Sequence, residues 1–173
     1  MFYNGPIMHR QILLIILYAA LLPAPLMQAA VAQEAADPLT IKAIAEVESR
    51  SVVGGREVVK LIAADRVVPG DRVLYTLEVR NAGATTLETP VIIHPVPEHM
   101  RYVANSAVGP GAEVSYSIDG GRSFDSPENL HVNGADGAPH TAAAADYTHI
   151  RWHLKNNLKV NSVAFVRFRA LVK

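Results

Sequence analysis

Histidine is the residue type in this chain best suited to chemistry. Seven are present, and six of them, His94, His99, His131, His140, His149 and His153, fall in the second half. Neutral imidazole is a ligand for zinc and copper, so these six are the first candidates for a metal centre. Spacing restricts them. On a strand, His149 and His153 stand about 13 Å apart at about 3.3 Å per residue, too far to share one ion at metal–nitrogen distances of about 2 Å. A site would have to combine residues from separate strands or loops, with His131 and His140 as the pair that one loop supplies. The carboxylates are spread singly, and nothing in their spacing marks the pair, roughly 5–9 Å apart, that a glycosidase uses. No G-x-S-x-G, H-E-x-x-H, G-x-x-x-x-G-K-[ST] or helix-opening G-x-G-x-x-G is present. We therefore assign no catalytic residue, metal ligand or cofactor, and the dense alternating carboxylates of a calcium loop are missing between Asp119 and Asp125.

What remains is recognition. Asp119-Gly120-Gly121-Arg122 is hairpin chemistry, with glycines that accept positive φ. The stretch from Ser117 to Phe124 is similar to the Asp-box, S-x-D-x-G-x-[S/T]-aromatic, which implies a surface β-hairpin. After it, Asp125 to Asp146 loses all periodicity and carries Asn133-Gly134, Asp136-Gly137 and Pro139. Unpatterned connections of about twenty residues are uncommon and are either functional or disordered, and both readings stand. The expected interaction surface is Asp119, Gly120, Gly121 and Arg122 with Asn133 and Asp136 beside them.

The elements that must hold this surface read as strands. Val73, Tyr75, Leu77 and Val79 alternate with Arg72, Thr76, Glu78 and Arg80, the period of two of a half-buried strand. Pro69-Gly70-Asp71 and Asn81-Ala82-Gly83 close its two ends as turns. Leu39–Glu48 alternates similarly with Ile44 as the one misfit, and Glu57–Ala64 follows across Gly54-Gly55 as a second strand that can pair with the first. Thr89–Val96 carries prolines at both ends and belongs at an edge. Arg101–Ala107, Ala112–Ile118, a return strand from Ser123-Phe124, Tyr147–Leu154 and Val163–Val172 complete an all-β pattern of seven to nine strands. Tyr75, Leu77, Val79, Ile150, Trp152 and Phe168 are its expected core, and the architecture expected is a β-sandwich.

Residues 1–32 stand apart. His9 and Arg10 precede the apolar run Ile12–Leu22, and Ala30-Val31-Ala32 places small residues where a signal peptidase cuts. A membrane span needs about 20 apolar residues, and Pro23 interrupts this one. A cleaved secretory signal follows, with Met8 as an alternative start, then a lead-in over 33–38 and one domain over 39–173. The full chain of 173 residues balances 16 basic against 16 acidic side chains, and Arg10 is the only one of these before residue 33. The mature part thus carries a net charge of −1, without the basic stripe of a nucleic-acid binder. It has no cysteine, so an exported fold of this kind stands on its packed core.

Pro69-Gly70-Asp71, Tyr75, Asn81-x-Gly83, Pro97, Tyr102-Val103 and Ser106-Ala107 together resemble the bacterial conserved repeat domain DUF11, over about Val67 to Ala107. Tyr116–Gly121 and Thr148–Trp152 are compatible with it. The resemblance implies an immunoglobulin-like β-sandwich in the envelope or outside the cell, with no catalytic residues. The function expected is a structural or interaction module whose partner is an envelope protein or a glycan. A periplasmic copper or zinc protein and a carbohydrate-active enzyme are the alternatives.

Overall fold

The computed structural model describes residues 38–135 and 137–173. The expected signal segment and the expected lead-in up to residue 37, and Asp136, lie outside the described residues. Ten strands are present among those described: β1 (Leu39–Val53), β2 (Arg56–Ala63), β3 (Arg72–Asn81), β4 (Val91–Pro95), β5 (Met100–Tyr102), β6 (Ala112–Ser117), β7 (His131–Asn133), β8 (Pro139–Thr141), β9 (His149–Leu154) and β10 (Val163–Val172). All pairings are antiparallel, in a five-stranded sheet of order β2-β1-β3-β10-β5, a three-stranded sheet β4-β9-β6 and a ribbon β7-β8. The all-β expectation holds. No helix among the described residues is long and apolar enough to cross a membrane.

Alternation places the core as the sequence reads it. Leu77 and Val79 of β3, Val166, Phe168 and Ala170 of β10, and Ile92, Ile150, Trp152 and Leu154 of the smaller sheet meet in one hydrophobic cluster. Each fully buried aliphatic or aromatic side chain there contributes about 1.5–3 kcal/mol. Trp152 and Phe168 are wholly buried, their rings 6.1 Å apart between centroids. Tyr75 is only partly buried; its ring stacks on Phe168 at 4.8 Å and its hydroxyl donates to Met100 Sδ at 3.0 Å. The indole Nε1 of Trp152 is buried with no hydrogen-bond partner among the described residues.

The first strand departs from its pattern. Ile41 pairs with Val79 and so shares the core-facing side, yet it is 43% exposed. The larger sheet has two more strands than the smaller, and of β1 only Leu39 packs against the cluster. Beyond Val47, β1 leaves β3 and runs on with β2 alone, joined through Gly54 and Gly55 at φ 58° and 77°. That hairpin leaves Val59, Leu61 and Ile62 exposed on an edge strand, with Arg56, Glu57 and Lys60 as its charged guards. On the outer face Glu48 is held by Arg169 Nε at 2.6 Å.

Three other expectations change. The strand expected over Arg101–Ala107 is regular only as β5; from Val103 to Val108 the chain follows β10 by single bonds, Val103 N to Arg169 O and Val108 N to Arg167 O, both 2.9 Å. The return strand after Phe124 is one bridge, Asp125 to Tyr116. The described residues of 125–146 form local structure: 3₁₀ turns at Pro127–Asn129 and Ala144–Asp146 flank the β7-β8 ribbon. Leu130 and Ala142 pin it to the core, joined by Ala142 N to Leu130 O at 2.7 Å. One apolar residue on each side of a ribbon leaves no periodicity to read.

The residues that carry the family resemblance fix turns. Asn81 is fully buried; its Nδ2 donates to the carbonyls of Thr85 (2.8 Å) and Leu158 (2.9 Å), and its Oδ1 accepts from Gly83 N at 2.9 Å. Asp71 accepts from Val68 N at 2.9 Å. A Cβ at Gly83 would come within 2.6 Å of Pro38 Cβ.

Candidate interaction surface

The Asp119–Arg122 turn is built around one carboxylate. Asp119 Oδ1 accepts from Ser117 Oγ (2.7 Å), Arg122 N (3.0 Å) and Ser123 N (3.0 Å), while Oδ2 accepts from Ser123 Oγ (2.7 Å). Ser117 Oγ in turn accepts from Asp119 N and Gly121 N. Donors on Ser123 first, then Ser117, hold the Asp119 carboxyl well below the usual carboxylate range, because each bond favours the charged form. The turn is tied to β9 through Gly120 N and Thr148 Oγ1, 3.1 Å apart. Gly121 has φ 85°, and a Cβ there would meet the His149 ring at 3.2 Å, so both backbone and space call for glycine.

Around this turn the structure assembles a different set from the one the sequence proposes. Asp119, Ser123, Phe124, Asp125, Asn129 and His131 line a shallow cleft of about 380 Å³. Gly120, Gly121 and Arg122 are not among its lining residues. Asn133 is exposed on β7, paired with Pro139, and does not line it either. Asp136 lies outside the described residues. Asp125 and Asn129 carried no pattern in the sequence beyond Asp125-Ser126-Pro127, a cap signal for the 3₁₀ turn. Asp125 Oδ1 accepts from Asn129 Nδ2 at 2.9 Å and Ser126 N at 2.7 Å. These bonds, that from Asn129 foremost, lower its pKa, and the bond from Ser126 lowers that of Glu128. The cleft is therefore anionic at neutral pH.

On β9, Ile150, Trp152 and Leu154 point into the core and His149, Arg151 and His153 point out, as alternation requires. The Arg151 guanidinium sits 4.8 Å over the Phe124 ring, a cation–π contact that fastens the turn to the sheet. His131 and His140, the pair considered for a metal, fall on opposite faces of the ribbon, since His131 is opposite Thr141 while His140 is opposite Val132. Among the described residues no three of His, Cys, Asp and Glu gather as a metal-binding group.

Fold and surface define an antiparallel all-β chain with a turn-built, anionic cleft. Comparison with family models, with curated proteins and with solved structures finds no match.

Proposed function

We propose that the chain is an exported, non-catalytic module of the bacterial cell envelope, an immunoglobulin-like β-sandwich of the DUF11 type that contacts a protein or glycan partner at the periplasm or cell surface. The observation that carries this reading is how the turn spends its polar groups. Asp119 accepts four hydrogen bonds within its own turn, so the carboxylate best placed for chemistry serves as a brace. Asp125 is likewise held by Asn129 and Ser126. What such a face offers a partner is fixed shape and negative charge on rigid loops, the ordinary equipment of a binding module.

The test is a crosslinking pull-down from the native envelope with the full chain and with the double variant Glu128→Lys, His131→Lys, which reverses the charge of the cleft face. Both positions are exposed, so the variant keeps the fold. Loss of a specific partner in the variant supports the reading. Equal capture by both proteins refutes the surface, and no capture by either refutes the interaction role.

A further inference from the structure

The backbone edge of β10 is uncovered where the chain deserts it. Alternate residues of β10 turn their backbone groups away from β3, as shown by Arg167, whose N–H and C=O both bond Val108 at 2.8 and 2.9 Å. By the same alternation Val163 and Phe165 also turn outward. Farther along, this edge is occupied by Val103, Ser106 and β5. At Gly109 the chain bends away to begin β6, and it must do so closely, since a Cβ on Gly109 would come within 2.8 Å of Val166 Cγ1. The outward N–H and C=O of Val163 and Phe165 are left without a hydrogen-bond partner among the described residues.

That bare edge lies along two adjoining clefts of about 430 and 390 Å³ that share Pro110 and Phe165. Their exposed apolar surface centres on Val108, 53% exposed, and Phe165, 44% exposed. Arg167 lines the first cleft and Lys159 the second, and no carboxylate lines either. Neither cation forms a salt bridge among the described residues. The nearest acid along the strand, Glu78, opposite Phe165, is taken by Arg80 at 3.6 Å.

We propose that this groove docks an extended acidic peptide, which adds to β10 as a strand beside Val163 and Phe165. Main-chain bonds to those two residues supply the attachment, an apolar side chain packs on Phe165, Val108 and Pro110, and carboxylates on either side meet Lys159 and Arg167. The unpaired edge selects an extended chain, and the two unpartnered cations select its charge. This gives the interaction module a second site and relies on that reading only for its setting, because Glu128 and His131 play no part in it.

The probe is a short peptide of alternating valine and glutamate, with analogues carrying serine or lysine in place of glutamate, titrated against the full chain by fluorescence anisotropy. Binding should fall roughly tenfold or more from glutamate to serine, the worth of one charge-assisted bond, and vanish with lysine. The charge-swapped variant Lys159→Glu, Arg167→Glu, checked for an unchanged melting temperature, should prefer the lysine peptide. Methylating alternate peptide nitrogens should abolish binding for one alternate set and spare the other, as one-sided strand pairing demands. The proposal is overturned if the three peptides bind alike or none binds, if charge swapping leaves the preference unchanged, if both methylated sets behave alike, or if a second copy of the chain is found crosslinked at Phe165.

Discussion

The hydroxyl oxygens of Tyr102 on β5 and Tyr116 on β6 lie 3.0 Å apart, a hydrogen bond between one strand of each sheet. Its direction follows from counting. Tyr102 Oη already accepts from Ser106 N (3.1 Å) and Ala107 N (2.9 Å), which fills both lone pairs, so its proton goes to Tyr116. Burial pushes the Tyr116 phenol far up from its ordinary pKa. Tyr147 stacks on Tyr116 at 4.5 Å and closes the cluster.

Tyr102→Phe should therefore cost more than Tyr116→Phe. The first leaves the Ala107 N–H and the Tyr116 oxygen unpaired, while Ser106 N keeps Val103 O at 3.2 Å, a loss of about 2 kcal/mol, whereas the second removes one partner, about 1 kcal/mol. Urea unfolding of both variants checks the order, and equal losses would refute the role of Tyr102 Oη as the acceptor that holds Ala107 N.

Asn81 makes a sharper case. Asn81→Ala strands the Thr85 carbonyl and the Gly83 N–H around a buried position, while Leu158 O keeps Leu87 N, and should destabilise by about 2 kcal/mol. Asn81→Asp keeps the acceptor for Gly83 but faces the carbonyls of Thr85 and Leu158 with a carboxylate, so it should be at least as damaging near neutral pH and recover when acid protonates it. Thermal melts at two pH values separate the two variants.

His94 sets a pH dependence. Its ring lies beside the stacked rings of Tyr75 and Phe168, with centroids at 6.4 and 5.6 Å, and donates Nδ1–H to its neighbour's carbonyl, Pro95 O, at 2.7 Å. Burial lowers its pKa, with a lesser contribution from the nearby His149. The unfolded chain then binds the proton more readily than the folded one. Its contribution is complete above the unfolded value of about 6.5 and is lost as pH falls through that value toward the folded one. Melting temperature should decline from pH 7.5 to pH 5, and His94→Gln should flatten the decline; an unchanged slope would remove His94 as its source.

The 125–146 segment should behave as part of the core. Leu130→Ala should cost about 2–5 kcal/mol, as for other buried leucines, while Asn133→Ala on the exposed ribbon should fall within about 0.5 kcal/mol of the parent. Amide exchange offers a second check, with the Ala142 N–H protected by its bond to Leu130.

The sequence by itself determined the local facts. Alternation in β3, β9 and β10 assigns Leu77, Val79, Ile150, Trp152 and Phe168 to one side because successive strand residues face opposite ways. Asp119-Gly120-Gly121 declares a turn because few other residues accept its φ values. Tertiary structure decided what has no local signal. Ile41 alternates as well as Val79 but is left exposed, since the width of the opposing sheet is not written in β1. The ribbon's order depends on Leu130 and Ala142 finding a core built mostly by residues far from them in the chain. The groove beside Phe165 joins Val108, Pro110 and Lys159 only because the chain leaves β10 at Gly109. Periodicity reports which side of a strand is apolar; whether anything lies on that side is settled by contacts between distant segments, and those depend on the whole fold.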